Sequence, residues 1–231
     1  MEVGVGSLEP VRLARLLVHQ PPRGQGYRVN VDAFHLAQFA AAPAMGRPAP
    51  RTVAFDLGAG SGAVGLALLA LDAVQRVVFV ELDPEAAAHA AQNIVEHGWR
   101  ERAEVIAGDV SRICPEHAGA AHLVVCNPPY VEVGRGRVPA EGRRARARMG
   151  SLDAFVHAAR TIAGRRARVC FVYPAREMAT LFATLRAVGL EPKRLRAVHA
   201  KPDEPARIVL VESQPAKAGG LTIEPPLVEC F

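Results

Sequence analysis

The sequence predicts an α/β fold: a mostly parallel sheet with helices on both faces, ending in an antiparallel hairpin. Three observations predict it. Strand-like and helical stretches alternate from residue 52 to residue 189. The strand-like runs between the helices are mainly apolar, as strands buried on both faces are. The last two runs, KRLRAVHA (193–200) and ARIVLVES (206–213), face each other across a short KPDEP turn with no helix between them, which makes them a hairpin.

Each element has its own local reason. The stretch AAPAMGRPAPR (41–51) is rich in Pro and Ala and reads as a loop between an N-terminal segment (1–50) and the main domain (51–231), the two forming one structural unit. TVAFDL (52–57) is a strand ending in Gly, and SGAVGLALLAL (61–71) is helical. RVVFVEL (76–82) is the second strand. PEAAAHAAQNIVEHG (84–98) opens with Pro in a first helical turn and stops at Gly. AEVIAGD (103–109) and HLVVCN (122–127) are the third and fourth strands. SLDAFVHAARTIAG (151–164) is a helix with Ser at its start and Gly at its end. RVCFVYP (168–174) is a strand, REMATLFATLRAVG (176–189) a helix, and the hairpin brings the sheet to seven strands.

Composition excludes several classes. A chain of 231 residues, 50% hydrophobic and 22% charged, can bury one large core. No apolar run reaches the roughly 18 residues of a membrane span. The start MEVGVGSLEPVRLARLLV lacks the basic, apolar and small-residue parts of a secretory signal. Cys114, Cys126, Cys170 and Cys230 are scattered, with no CxxC pair and no His at ligand spacing, so neither a disulfide framework nor a metal site is expected, and a reducing cytoplasm is. Net charge is +5, carried mostly by arginine because lysine occurs only at 193, 201 and 217. Such a balance is compatible with a nucleic-acid partner without requiring one.

The stretch DLGAGSGAVG (56–65) follows a strand and opens a helix. Gly58, Gly60 and Gly62 allow a tight turn and close backbone approach to a nucleotide-like ligand. Glu81, with Leu82 beside it, ends the second strand, where an acid binds ribose hydroxyls. Asp109 ends the third strand, where a carboxylate can meet an adenine amine. Ligands of open α/β sheets bind beyond the carboxyl ends of the strands, where all of these residues fall. A phosphate loop would need GxxxxGK[ST], and the lysine is missing. Asp56 would repel a pyrophosphate but can accept hydrogen bonds from a cationic amino-acid group. S-adenosylmethionine carries ribose, adenine and an ammonium and no phosphate, and is favoured over NAD.

The fourth strand runs into VVCNPPYVEV (124–133). Two prolines end a strand rigidly and leave the Pro128 carbonyl free as an acceptor. Asn127 offers a side-chain carbonyl, Pro129 fixes the backbone, and Tyr130 supplies a ring for stacking a planar group. Two acceptors can hold both hydrogens of an amine and direct its lone pair at a methyl donor, so that positioning and electrostatics carry the catalysis. The tetrapeptide resembles the [DNS]-PP-[YFW] motif of methyltransferases that modify planar exocyclic amines or amides. Members of that group act on release-factor glutamine, on guanine in ribosomal RNA, or on adenine in DNA or tRNA.

Longer segments narrow the resemblance. QPPRGQGYRVNVDAFHLAQFA (20–40), the glycine loop, VELDPEAAAHAAQNI, RRARARMGSLDAFVHAA, VYPAREMATL, KPDEPARIVLVE and LTIEPPLV are similar to bacterial tRNA adenine methyltransferases, which act beside the anticodon of a valine tRNA. That resemblance implies a Rossmann-like class I methyltransferase domain dependent on S-adenosylmethionine. It assigns Asn127, Pro128 and Tyr130 to the target adenine, and Asp56, Gly58, Glu81 and Asp109 to the cofactor. The ending VECF departs from the family's acidic end. Residues 1–55 precede the glycine loop, a shorter stretch than the helical domain upstream in the release-factor enzymes. A ribosomal RNA guanine-N2 enzyme and a protein glutamine-N5 enzyme remain the alternatives.

The segment GRGRVPAEGRRARARMG (134–150) follows the tetrapeptide directly. Its arginines, Arg135, Arg137, Arg143, Arg144, Arg146 and Arg148, lie where phosphates flanking an extruded base would lie. Anticodon-loop bases are the unstacked kind that such RNA sites accept. GYRVNVDAF (26–34) is expected to fold over the cofactor, with Tyr27, Arg28 and Asp32 as candidates for lining that pocket. His199, near a strand end, is read as structural.

Overall fold

The structure is a computed structural model that describes residues 16, 18–19, 30–42, 52–128 and 151–229. Its elements run α1 (Val31–Ala41), β1 (Val53–Leu57), α2 (Ala63–Ala70), β2 (Arg76–Glu81), α3 (Pro84–Glu96), β3 (Ala103–Ala107), α4 (Val110–Ile113), β4 (Ala121–Cys126), α5 (Leu152–Ile162), β5 (Ala163–Pro174), α6 (Met178–Ala187), β6 (Glu191–His199), β7 (Ala206–Gln214), β8 (Thr222–Ile223) and β9 (Leu227–Val228). They build a nine-stranded sheet in the order β3-β2-β1-β4-β5-β7-β6-β8, with β9 also on β6. The seven expected strands are all present, and β7 is the antiparallel one, set between β5 and β6. His199 Nδ1 lies 2.7 Å from the Glu204 carbonyl, and Lys201 pairs with Glu204 at 2.7 Å, so the hairpin turn is closed from both sides.

Parallel strands need cover on both faces. One face carries α1 and α2, whose Phe34, Leu36, Phe39, Leu66 and Leu68 pack on Val77, Phe79 and Val125. The other carries α5 and α6, whose Phe155, Val156, Leu181 and Leu185 pack on Phe55, Val78 and Phe171. The helix starts follow capping chemistry. Asp83 accepts from the Glu85 amide at 3.0 Å with Pro84 at the first position, and Ser151 accepts from the Ala154 amide at 3.3 Å.

Helix α1 was not foreseen. It is gripped by arginines reaching up from the sheet. Arg194, 3% exposed, donates to the Phe39 carbonyl at 2.7 Å and to Glu212 at 2.7 Å, and its guanidinium stacks 3.8 Å from the Phe39 ring centroid. Arg168 donates to the carbonyls of Ala40 and Ala42. Cations at the last carbonyls of a helix satisfy its orphan acceptors and oppose the negative end of its dipole. At the other end Asp32 pairs with Arg207 at 2.7 Å; Arg207 also holds Glu229, and Glu229 meets His35 at 2.7 Å. Burial pushes the Glu229 carboxyl up, but the hydrogen bonds from Arg207 and His35 outweigh it and hold the group below the usual carboxylate range.

Three boundaries differ from expectation. Gly164 does not end α5; the helix stops at Ile162 and β5 begins at once. A Cβ on Gly164 would lie 3.0 Å from the Ala121 carbonyl, so the glycine serves close strand approach rather than helix termination. Residues 175–177 form a tight turn ahead of α6. The tail adds β8 and β9 to the edge of the sheet, parallel to β6.

Gly65 lets α2 settle against the sheet. A Cβ there would sit 2.3 Å from Phe79 Cε1 and 2.8 Å from Val77 Cγ1, both on fully buried side chains. Gly65→Ala is expected to destabilise the protein by about 1–3 kcal/mol through overpacking. A urea titration checks this: the midpoint falls while the slope stays that of the unsubstituted protein.

Candidate functional site

The strand order decides the layout of the site. Because β3, β2, β1 and β4 are neighbours, their carboxyl ends bring Asp109, Glu81, the glycine loop and Asn127 into one row. At roughly 4.8 Å per strand, the row from Asp109 to Asn127 is on the order of 14 Å long.

The glycine loop is fixed at both ends by carboxylates. Gly58 and Ala59 both donate to the Val80 carbonyl, at 2.9 and 3.1 Å, turning the chain sharply off β1. Gly58, Gly60 and Gly62 all have positive φ, from 56° to 87°, which favours glycine. A Cβ on Gly58 would strike Phe155 at 2.9 Å, whereas a Cβ on Gly60 would meet nothing within 4 Å, so Gly60 borders open space. The Gly60 amide donates to Glu81 Oε2 at 2.7 Å, and Glu81 Oε1 accepts from the Asp83 amide at 2.9 Å.

Asp56 is 1% exposed, and its Oδ2 accepts from the Gly65 amide at 2.9 Å. It supplies to the first turn of α2 the acceptor that the N-cap residue Gly62 lacks. Burial pushes the Asp56 carboxyl up to about 7; the Gly65 hydrogen bond opposes this and the Glu81 charge adds to it. A carboxylate so placed holds its charge poorly until a cation arrives. Asp109 is the opposite case. The Ser111 amide and hydroxyl both reach its Oδ1 at 2.8 Å and hold the carboxyl below its usual range. Leu82, next to Glu81, is 41% exposed although Val80 is fully buried, an apolar side chain left in the open at the end of β2.

A hollow opens beside Asp56, bordered by Gly58, Gly60, Ser61, Asn30 and Asn127. Thus Asp56, the glycines and Asn127 are brought together, with Glu81 and Asp109 further along the row. Pro128 is buried beside Asn127. Pro129, Tyr130 and the arginines from 135 to 148 lie outside the described residues, as do Tyr27 and Arg28. Asp32 does not border the hollow; its carboxylate is taken by Arg207 and by Asn30 Nδ2 at 3.1 Å. Two residues that sequence reasoning passed over also shape the site. Asn30 forms part of its wall. Asn93, fully buried on α3, donates to the Ser61 carbonyl at 2.9 Å and to the His19 carbonyl at 3.0 Å, and accepts from the His19 amide at 2.7 Å. Among the described residues no group of His, Cys, Asp and Glu could hold a metal ion, and no helix is long and apolar enough to cross a membrane.

The donor set fits S-adenosylmethionine. Asp56 suits an ammonium, the Glu81 carboxylate a pair of hydroxyls, Asp109 an exocyclic amine and Leu82 an apolar ring face. The row contains no cation for a phosphate.

Comparison with known proteins agrees. Residues 42–140 match the methyltransferase small domain family. A tRNA1(Val) (adenine(37)-N6)-methyltransferase of Enterobacter sp. (strain 638) is 36% identical over 138 residues, 58% of this chain and 56% of its own length. The same enzyme of Shewanella halifaxensis (strain HAW-EB4) is 32% identical over 172 residues, 71% of this chain and 67% of its own length. The chain thus spans between about half and two thirds of these relatives. Among solved structures, a predicted O-methyltransferase from Agrobacterium tumefaciens superposes with a TM-score of 0.64 at 23% identity, covering 84% of this chain and 86% of its own. Mitomycin 7-O-methyltransferase superposes at 0.53 and 20% identity, covering 80% and 54%. The structural likenesses establish the class I methyltransferase fold, and the sequence likeness places the chain in a narrower group: it belongs to the tRNA1(Val) (adenine(37)-N6)-methyltransferase family.

Proposed function

We propose that this protein transfers a methyl group from S-adenosylmethionine to the N6 amine of an adenine beside the anticodon of a valine tRNA. The observation that carries the reading is the row Asp109, Glu81, Asp56 and Asn127 along four adjacent strand ends. Its order matches adenine, ribose, amino acid and target amine.

When bound, S-adenosylmethionine supplies an electrophilic methyl on a sulfonium. The chain's own groups do the rest. Asp56 and the backbone of Gly58, Gly60 and Gly62 hold the amino-acid end, Glu81 the ribose, and Leu82 and Asp109 the adenine. The Asn127 side-chain carbonyl and the Pro128 carbonyl accept the two N–H groups of the target amine, and Tyr130 stacks on its ring. Holding both hydrogens in acceptors turns the nitrogen lone pair toward the methyl. Methyl transfer, with the thioether as leaving group, would leave the nitrogen cationic, and the proton it then sheds would pass to water, so the site needs no strong base. Arg135, Arg137, Arg143, Arg144, Arg146 and Arg148 are the groups that would meet phosphates around the extruded base.

The direct test is methyl transfer from labelled S-adenosylmethionine into total RNA, followed by nucleoside digestion. N6-methyladenosine in the tRNA fraction is expected. Methylated guanine in ribosomal RNA, or label on a protein glutamine, would replace the proposed substrate.

Four further outcomes follow from the residue roles. Asn127→Ala lowers kcat roughly 10²- to 10³-fold while leaving the Kd for S-adenosylmethionine unchanged; calorimetry beside single-turnover assays separates the two. Because burial lifts Asp56 to about 7, an ammonium ligand must displace a proton at lower pH. Its log Kd therefore improves by about one unit per pH unit as pH rises toward 7 and then levels off, and Asp56→Asn removes that slope. The same shift acts on folding with a definite sign. The native chain holds the Asp56 proton more tightly than the unfolded chain, so this stabilisation is full below the ordinary value of 3.8 and is lost as pH rises through about 7. Charge reversal at Arg144 and Arg146 weakens tRNA binding and lowers the slope of log Kd against log salt by roughly two; an unaltered slope would return that segment to solvent.

A further inference from the structure

Asn30 stands just ahead of α1 as its N-cap, yet its side chain makes no capping bond to the helix. Its Nδ2 donates to Asp32 Oδ2 at 3.1 Å, and Asp32 is in turn paired with Arg207 at 2.7 Å. This fixes the amide. A flip would press the Asn30 carbonyl against a salt-bridged carboxylate, so the oxygen is the end left facing elsewhere. That oxygen is buried, and among the described residues no group donates to it. A buried acceptor without a donor calls for an explanation, and beside an open hollow a bound ligand supplies one. The residue that carries it borders the hollow together with Asp56 and Asn127.

We infer that the Asn30 side-chain carbonyl is a cofactor ligand, accepting a hydrogen bond from the ammonium of the methionine end. This rests on the proposed use of S-adenosylmethionine. The hollow narrows the choice of group. A carboxylate would face Asp56 and the Asn30 oxygen together and be repelled by both. A ribose hydroxyl has Glu81 further along the row, and the target amine has Asn127 and Pro128. An ammonium carries several N–H groups and needs more acceptors than Asp56 alone provides. Asn30 supplies one of them, and the Arg207–Asp32 pair sets the direction in which it is supplied.

The test is calorimetric binding of two nucleosides to the full chain and to Asn30→Ala. S-adenosylhomocysteine has the amino-acid end and 5′-methylthioadenosine lacks it. Since Asn30 makes no cap bond, its truncation leaves α1 its start, and a thermal melt verifies this. The expected result is about a tenfold weaker Kd for S-adenosylhomocysteine, the effect of losing one hydrogen bond to a charged group, with 5′-methylthioadenosine binding unchanged. Equal weakening of both nucleosides means a merely structural role and overturns the inference. No change in either also overturns it, and a fall in tRNA turnover in that case would assign Asn30 to the target amine. If the unsubstituted protein binds neither nucleoside, the cofactor reading fails first and this inference falls with it.

Discussion

The site depends on one hydrogen bond, from the Gly65 amide to the buried Asp56 carboxylate. It ties the end of β1 to the first turn of α2, and the glycine loop is what remains between these anchors. Glu81 completes the hold by taking the Gly60 amide from the neighbouring strand. Two buried carboxylates are thereby held near enough for the charge of Glu81 to act on Asp56. A fold bent on stability alone would avoid that arrangement, since burial and mutual repulsion both disfavour the charges. An arrangement that waits for a cation is preorganised in the useful sense: the fold has already met the electrostatic cost of assembling acceptors, so the ligand meets them in place.

The second constraint concerns α1. Guanidiniums grip both of its ends, the buried Arg194 and the partly exposed Arg168 at the carbonyl end and Arg207 through Asp32 at the amide end. Arginine suits this use because its planar fork reaches several acceptors at once and stays charged when buried. Glu212, with no exposed surface, balances two of these cations from inside the sheet. Apolar packing alone would let a short helix slide on its neighbours. Directional contacts at both ends, arginine to carbonyl at one and an ion pair at the other, do not, and the start of α1 is therefore a firm wall for the hollow.

Much of this was legible in the sequence, for reasons that vary by element. The central strands are largely apolar runs bounded by glycine and charge, the β6–β7 pair is marked by its short turn, and all seven could be read. Helix α1 could not, because it is buried on nearly every side and its apolar residues trace no stripe. The tail strands are two residues long and flank a Pro-Pro pair, below any periodic signal. Gly164 was misread because a glycine after a helix pattern usually ends it; only the carbonyls of Ala121 and Gly119 across the turn reveal its use. Within the site, Asp56, Glu81, Asp109 and Asn127 were legible because each sits at a strand end beside a recognisable turn. Asn30 and Asn93 were not. Their roles come from the packing of helices against the loop, and an asparagine in or beside a helix carries no mark of which backbone group it will reach.

The pairing of His35 with Glu229 joins positions 194 residues apart. A ribosome makes Glu229 long after His35. The strands β1 to β4 can pair while translation continues, but the latch behind the hollow's wall cannot close until β9 and Glu229 have left the exit tunnel. Competence for ligand is thus acquired late, and a nascent chain holds a formed sheet before it holds a finished site.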